Sequence, residues 1–329
     1  CTRWDCECDT ADVAGWRLML IFDKIFLIRF ERTIPSYFQA QPKYLESVTN
    51  STIISEKSRA PMKRKTFGTC ALTGETGQFI KSHLIPRALT RLSKTGEKRI
   101  QSEIGGRATR TSDSWYDLKL VTQAGEDILS DIDSRGIDEL RRLRLIWSGL
   151  NGQQPITNWS LDEGPSIREV HVTNSATLRI FFLSLLWRAG ATKLDHFRHV
   201  QLTSNEIEDL RSRILAREPG PFDDFPILLY QLTEGPAHNR VPLLEEETQP
   251  NSGDQHEQKI TYVRFYFDGL IARIYLKSRQ KIPDHYSKIC IQDNNNFIVF
   301  VHRFEDSRAK NEIVSIIRDY EQKTMNPFP

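Results

Sequence analysis

One histidine stands where chemistry could be done. In "CALTGETGQFIKSHLIPRALT", Cys70 to Thr90, His83 follows a turn-rich, half-apolar stretch and lies three residues before Pro86. An imidazole is the side chain best suited to accept a proton near neutral pH. Basic residues gather just after it: Arg87, Arg91, Lys94, Lys98, Arg99, Arg107 and Arg110. From 62 to 111 there are eleven Lys/Arg against three Asp/Glu. A groove that holds phosphates beside a proton acceptor requires that arrangement, although an ordinary solvated basic face has the same composition. Glu126 and Asp127 add carboxylates further on, where acids near a helix N-terminus also suit the helix dipole. His196 and His199, three apart in "LDHFRHV", could meet on one helical face, with no third metal ligand in view. Tyr262, Phe265, Tyr266 and Phe267 could stack on bases or fill a sheet core. No Walker loop, dinucleotide fingerprint or serine-hydrolase elbow occurs.

The elements that must position these residues follow from patterning. Residues 66–82 alternate turn and apolar residues, which predicts a β-hairpin whose second strand ends near His83. Pro86 suits the first turn of a helix, so "IPRALTRLSKT" reads as that helix or as an irregular exit. "GEKRIQSEIGGRATRTSDS" reads as loop. "AGEDILSDIDSRGIDELRRLRLIW" is helical in two amphipathic pieces broken at Gly136. "SATLRIFFLSLLWRAG" is apolar nearly all round, as a buried helix is. "SNEIEDLRSRILA" is amphipathic, with Ser204 or Asn205 as cap. Residues 235–258 are acidic and read as a mobile loop. "KITYVRFYFDGLIARIYLKS" alternates around Asp268-Gly269, the strongest short hairpin signal. "NNNFIVFVHRF" adds a strand and "AKNEIVSIIRDYEQ" a closing helix.

A histidine before a nearby proline at the end of a hairpin resembles the HNH, or ββα-metal, endonucleases over residues 70–130. The resemblance implies a hairpin, a second strand and a helix around a divalent cation. On it, His83 takes the general-base position and Asp117, in "YDLKLV", the position of the asparagine that opens the second strand. Glu126 takes that of the last metal ligand. Ser82 stands at the position of the first metal ligand, where a neutral hydroxyl binds a divalent cation poorly. Thr73, Thr122 and Gly125 stand where three of four zinc cysteines would be, and Cys70 alone remains, so a structural zinc is not expected. Mg²⁺ or Mn²⁺ is the expected cofactor, with oxygen ligands. A wider resemblance, from "SHLIPRALT" to "LRIFFLSLLWRAG", is to bacterial proteins that join such an N-terminus to a helical region.

The expected fold class is therefore α+β: an N-terminal HNH-like ββα element, a helical middle region and a C-terminal antiparallel β-sheet with a helix. The expected divisions are 1–61, 62–148, 149–234, an acidic linker at 235–258, and 259–329. Residues 1–61 read as a non-native or disordered leader, with Met62 as the natural start. With 39% apolar and 27% charged residues, 329 residues can bury a substantial core. Five cysteines, three of them in the first eight residues, do not form a secreted disulfide framework, so the cytoplasm is expected. The run at 15–30 is broken by Asp23 and Lys24 and is short for a membrane span. Two functions remain. One is a nucleic-acid binder or metal-dependent endonuclease acting on DNA or RNA. The other is a non-catalytic protein that uses the ββα hairpin as a scaffold to bind a partner protein.

Overall fold

The computed structural model describes residues 66–325, except 91–98, 103–108, 112, 161–163, 234, 236–237, 251–256, 280–282, 284–285, 287 and 294. All of these fall in one unit, Arg64–Pro329. The expected leader, 1–61, and Met62 lie outside the described residues. The fold is mixed α+β, and the described residues form five α-helices and a six-stranded mixed sheet among other strands.

Strands β1 (Phe67–Thr69) and β2 (Thr76–Gln78) form a tight antiparallel hairpin. The chain then runs through β3 (Ser82–His83) and, after β4 (Arg99–Ser102) and β5 (Thr109–Thr111), returns as β6 (Tyr116–Asp117) to pair antiparallel with β3. The hairpin therefore closes before His83, and the histidine belongs to a separate two-stranded ribbon. Behind the ribbon comes helix α1 (Gln123–Arg142), which is continuous through Gly136. The expected break there does not occur. A Cβ at Gly136 would overlap the Phe181 ring, so the glycine serves close helix approach, not helix termination.

The ring belongs to α3 (Ser175–Ala191), which follows the short α2 (Trp147–Leu150) and strand β7 (Ser166–His171). Helix α3 is buried almost all round, as its apolar composition predicts. It packs between α1 and α4 (Ser204–Ala216). Thr203, one residue before the expected caps, closes α4 with a full capping box: its hydroxyl accepts from the Glu206 amide, and Glu206 accepts from the Thr203 amide.

The large sheet has the order β10 (Leu243–Pro250), β11 (Glu257–Phe267), β12 (Leu270–Tyr275), β8 (Ile227–Leu232), β13 (Asn296–His302), β7. The Asp268-Gly269 turn joins β11 and β12, both residues at positive φ, as a type I′ turn requires. Three corrections follow. The sheet is mixed, because β8 and β13 run parallel. It draws β7 and β8 from the middle region, which is not purely helical, so 149–234 and 259–329 share one core. The acidic stretch is not a mobile loop, since β10 pairs with β11 over eight residues. Its acids are answered across the ladder: Glu245 pairs with Arg264 and Glu246 with Lys259, while Glu247 reaches Arg273 on β12. Tyr262, Phe265, Tyr266 and Phe267 are all buried in the sheet. Tyr262 and Tyr230 clasp Arg273, each ring centroid 4.7 Å from its guanidinium carbon.

The strand β9 (His238–Arg240) joins β4 and β5 in a small sheet, and α5 (Arg308–Met325) closes the chain. Among the described residues, no helix is long and apolar enough to cross a membrane.

His302, at the end of β13, gives the fold an acid-sensitive point. Burial, helped by Arg273, pushes its imidazole down to about 4. Between that value and the unfolded value near 6.5 the unfolded chain binds the extra proton, so stability rises with pH across this window. Chemical denaturation at pH 7 and pH 4 should show a loss on the order of 2–3 kcal/mol that His302→Gln removes. An equal loss in both proteins would refute this assignment.

Candidate functional site

The site is built on the β3–β6 ribbon. In its register Ser82 faces Asp117 and His83 faces Tyr116. Side chains alternate along a strand, so His83 and Tyr116 share one face and Ser82 and Asp117 the other. The His83 and Tyr116 rings meet edge to face with centroids 6.2 Å apart, and Lys81 Nζ lies 4.0 Å from the Tyr116 ring centroid.

His83 Nε2 lies 3.0 Å from Asp113 Oδ1. The Asp113 carboxylate also receives Lys81 Nζ and the Ser114 amide at 3.0 Å, and Arg87 Nε approaches it to 3.8 Å. Partial burial works against its ionisation, but Lys81, His83 and the Ser114 amide hold it at about 2. An ionised carboxylate only accepts, so Nε2 must carry the proton. The basic lone pair of neutral His83 is therefore on Nδ1, which hydrogen-bonds to no described residue.

Helix α1 supplies the opposite wall. Glu126, Ser130, Asp133, Ile137 and Arg141 follow one another at intervals of three or four along one face. With His83, Pro86 and Arg87 they line a cleft of about 320 Å³. Glu126 is half-buried on this wall. Burial pushes its carboxyl up, against the opposing pull of Ser82, Arg188 and His83. Its Oε2 and the Ser82 hydroxyl are both buried and neighbour each other, close enough for Ser82 to favour the carboxylate though not in hydrogen-bonding geometry.

Arg188, on α3 and 1% exposed, fixes the cleft from behind. It grips both oxygens of Asp133, donates to the His83 carbonyl at 3.0 Å, and donates to Ser184 Oγ at 2.9 Å. One buried cation thus ties the ribbon and α1 to the core helix.

Of the residues singled out from sequence, His83, Arg87 and Glu126 meet in this cleft. Asp117 does not join them. Its Oδ1 accepts from the Lys119 amide at 2.8 Å and its Oδ2 from Thr192 Oγ1 at 2.7 Å, which braces the ribbon against the end of α3. Asp117 instead borders a second, wider cleft with Trp115, Lys119 and Lys193. Arg99 opens β4; Arg91, Lys94 and Lys98 lie outside the described residues. His199 Nε2 is buried without a hydrogen bond, and among the described residues no third ligand joins it and His196. Sequence reasoning passes over Asp113, Asp133, Arg141 and Arg188. Asp113 sits in "TSDSW", which reads as loop, and only the β3–β6 register shows that it reaches His83.

Cys70, Thr73, Thr122 and Gly125 converge on one point. Cys70 Sγ accepts from the Thr73 amide at 3.4 Å, and a Cβ at Gly125 would lie 2.7 Å from that sulfur. Burial raises the thiol's pKa, but hydrogen bonds from Thr73 and Thr122 outweigh it and hold the thiol below its usual range. The sulfur fills the space that a glycine leaves, and hydrogen bonds close the knuckle.

The donor set does not fit a divalent cation. Among the described residues no three His, Cys, Asp or Glu side chains gather closely enough to hold one. Ser82 offers a neutral hydroxyl, and both Asp117 oxygens are already engaged. No catalytic step is routed through a metal below.

No family model matches the chain, and no match is found among curated proteins or solved structures.

Proposed function

We propose that this chain is an HNH-type nucleic-acid-binding protein whose phosphate site is the cleft between β3 and α1. The observation that carries the reading is that His83, Glu126, Arg87 and Arg141 line one cleft. Two cations there can face a phosphodiester, and a buried arginine holds the histidine's backbone in place. The order β3, β6, α1 agrees with a ββα arrangement, and so does the meeting of Cys70, Thr73, Thr122 and Gly125, the four positions at which the family's zinc ligands stand. In this reading Asp113, not Asp117, orients the base. Cys70 and Cys290 are buried free thiols, which suits a reducing, cytoplasmic setting.

Binding of labelled DNA and RNA oligonucleotides across a salt series tests the reading. Contacts to phosphates predict affinity that falls linearly with log salt. The absence of binding at low salt would refute it. The alternative, a scaffold for a protein partner, draws on the exposed apolar side chains Phe67 and Leu118. It predicts no oligonucleotide binding, together with tight capture of a protein that Phe67→Ser and Leu118→Ser abolish.

A further inference from the structure

We infer that this cleft cleaves RNA, not DNA, without a metal, using the substrate's own 2′-hydroxyl as the nucleophile. The inference rests on the nucleic-acid reading above and adds the substrate class and the reaction. Its starting point is the mismatch between the cleft's residues and a metal site. A phosphodiester of DNA carries no internal nucleophile, so an activated water or side chain must attack it from outside. RNA brings its nucleophile already attached beside the phosphorus. Such intramolecular placement reaches effective molarities of roughly 10⁵–10⁸ M. What the protein must then supply is a base, an acid and cations, and the cleft holds all three.

His83 is the base. Its Nδ1 is free of hydrogen bonds among the described residues, while Asp113 holds Nε2–H and stabilises the imidazolium that forms. Glu126 is the acid: it lines the same cleft as His83, and the partial burial of its carboxyl disfavours the charged form. Arg87 and Arg141 face the phosphate oxygens. Of the nearby acids, Asp133 is neutralised by Arg188 and Asp113 is paired with Lys81 and approached by Arg87, which leaves Asp138 against Arg141 and the remaining charge of Arg87.

The step balances as follows. His83 Nδ1 takes the 2′-hydroxyl proton as O2′ bonds to phosphorus. The P–O5′ bond breaks with its electron pair going to O5′, and Glu126 gives O5′ a proton. The products are a 2′,3′-cyclic phosphate and a 5′-hydroxyl. Exchange with water returns the proton from His83 and restores Glu126. No oxidant or reductant enters.

The test uses the full chain, a labelled single-stranded RNA and its 2′-O-methyl counterpart, in EDTA. RNA should be cut to fragments ending in 2′,3′-cyclic phosphate, and the 2′-O-methyl strand should stay intact. His83→Gln and the near-isosteric Glu126→Gln should each slow cutting by about 10²–10⁴-fold, the usual size of an acid–base contribution, with RNA binding by fluorescence anisotropy retained. Equal cutting by wild type and His83→Gln overturns the inference. So does cutting that needs added Mg²⁺ or Mn²⁺, or that also consumes the 2′-O-methyl strand. Binding without cutting overturns the inference and leaves the nucleic-acid reading standing; no binding removes both.

Discussion

Arg188→Ala should destabilise the protein by about 3–5 kcal/mol, the size expected when one partner of a buried ion pair is removed. Arg188 is 1% exposed and Asp133 17%. Without the guanidinium, the mostly buried Asp133 carboxylate is left uncompensated, and the His83 carbonyl and Ser184 Oγ lose a donor. The cost is that of an orphaned charge, which differs from the net worth of the pair. Replacing both partners, as in Arg188→Met with Asp133→Leu, should therefore recover most of the loss. Urea denaturation of the single and double variants measures both. A single-variant loss below about 1 kcal/mol, in the range of exposed pairs, would show that the cation does not anchor the cleft.

Glu312→Ala should cost a similar amount, about 3 kcal/mol or more, at the other end of the molecule. Glu312 projects from α5 onto the sheet, where it meets Arg264 at 3.0 Å, Arg308 at 3.0 Å and Arg240. Arg264 is 7% exposed and keeps Glu245 as a second partner at 2.9 Å. Burial raises the Glu312 pKa, but the three arginines prevail and hold its carboxyl below the usual range. Its contribution is thus complete above the ordinary carboxylate pKa and is lost as pH falls through the lower, folded value. With Glu312 gone, Arg264 and Arg308 share Glu245 and Arg240 loses its ion-pair partner, while Ala309 and Ile313 still pack α5 against the sheet. Loss of α5 helicity in Glu312→Ala at a temperature where wild type is folded would support this account. Unchanged stability in Glu312→Ala would contradict it.

These two networks mark the limit of what could be read from the chain. Helix α3 was legible because it is apolar on every side, and the β11–β12 hairpin because Asp268-Gly269 sits between alternating runs. Strand β10 was not, because Glu245, Glu246 and Glu247 look like a solvated loop until Arg264, Lys259 and Arg273 are seen opposite them. Gly136 looked like a break because its partner, Phe181, is 45 positions away in sequence. The site divided in the same way. His83, Arg87 and Glu126 carry local signals, namely a hairpin, a proline and a helix start. Asp113 and Arg188 act only through pairings across the fold, and the choice between Asp113 and Asp117 as partner of His83 depends on a two-residue register.

The central claim is that nucleic acid lies in the cleft between β3 and α1. Its most direct test is the affinity of a labelled RNA oligonucleotide for Arg87→Glu and Arg141→Glu, each compared with Arg198→Glu, which reverses an exposed charge that does not line this cleft. The account predicts at least about a tenfold loss in both cleft variants at low salt, a smaller salt dependence, and near wild-type binding by Arg198→Glu. Equal affinities in all three proteins would contradict it.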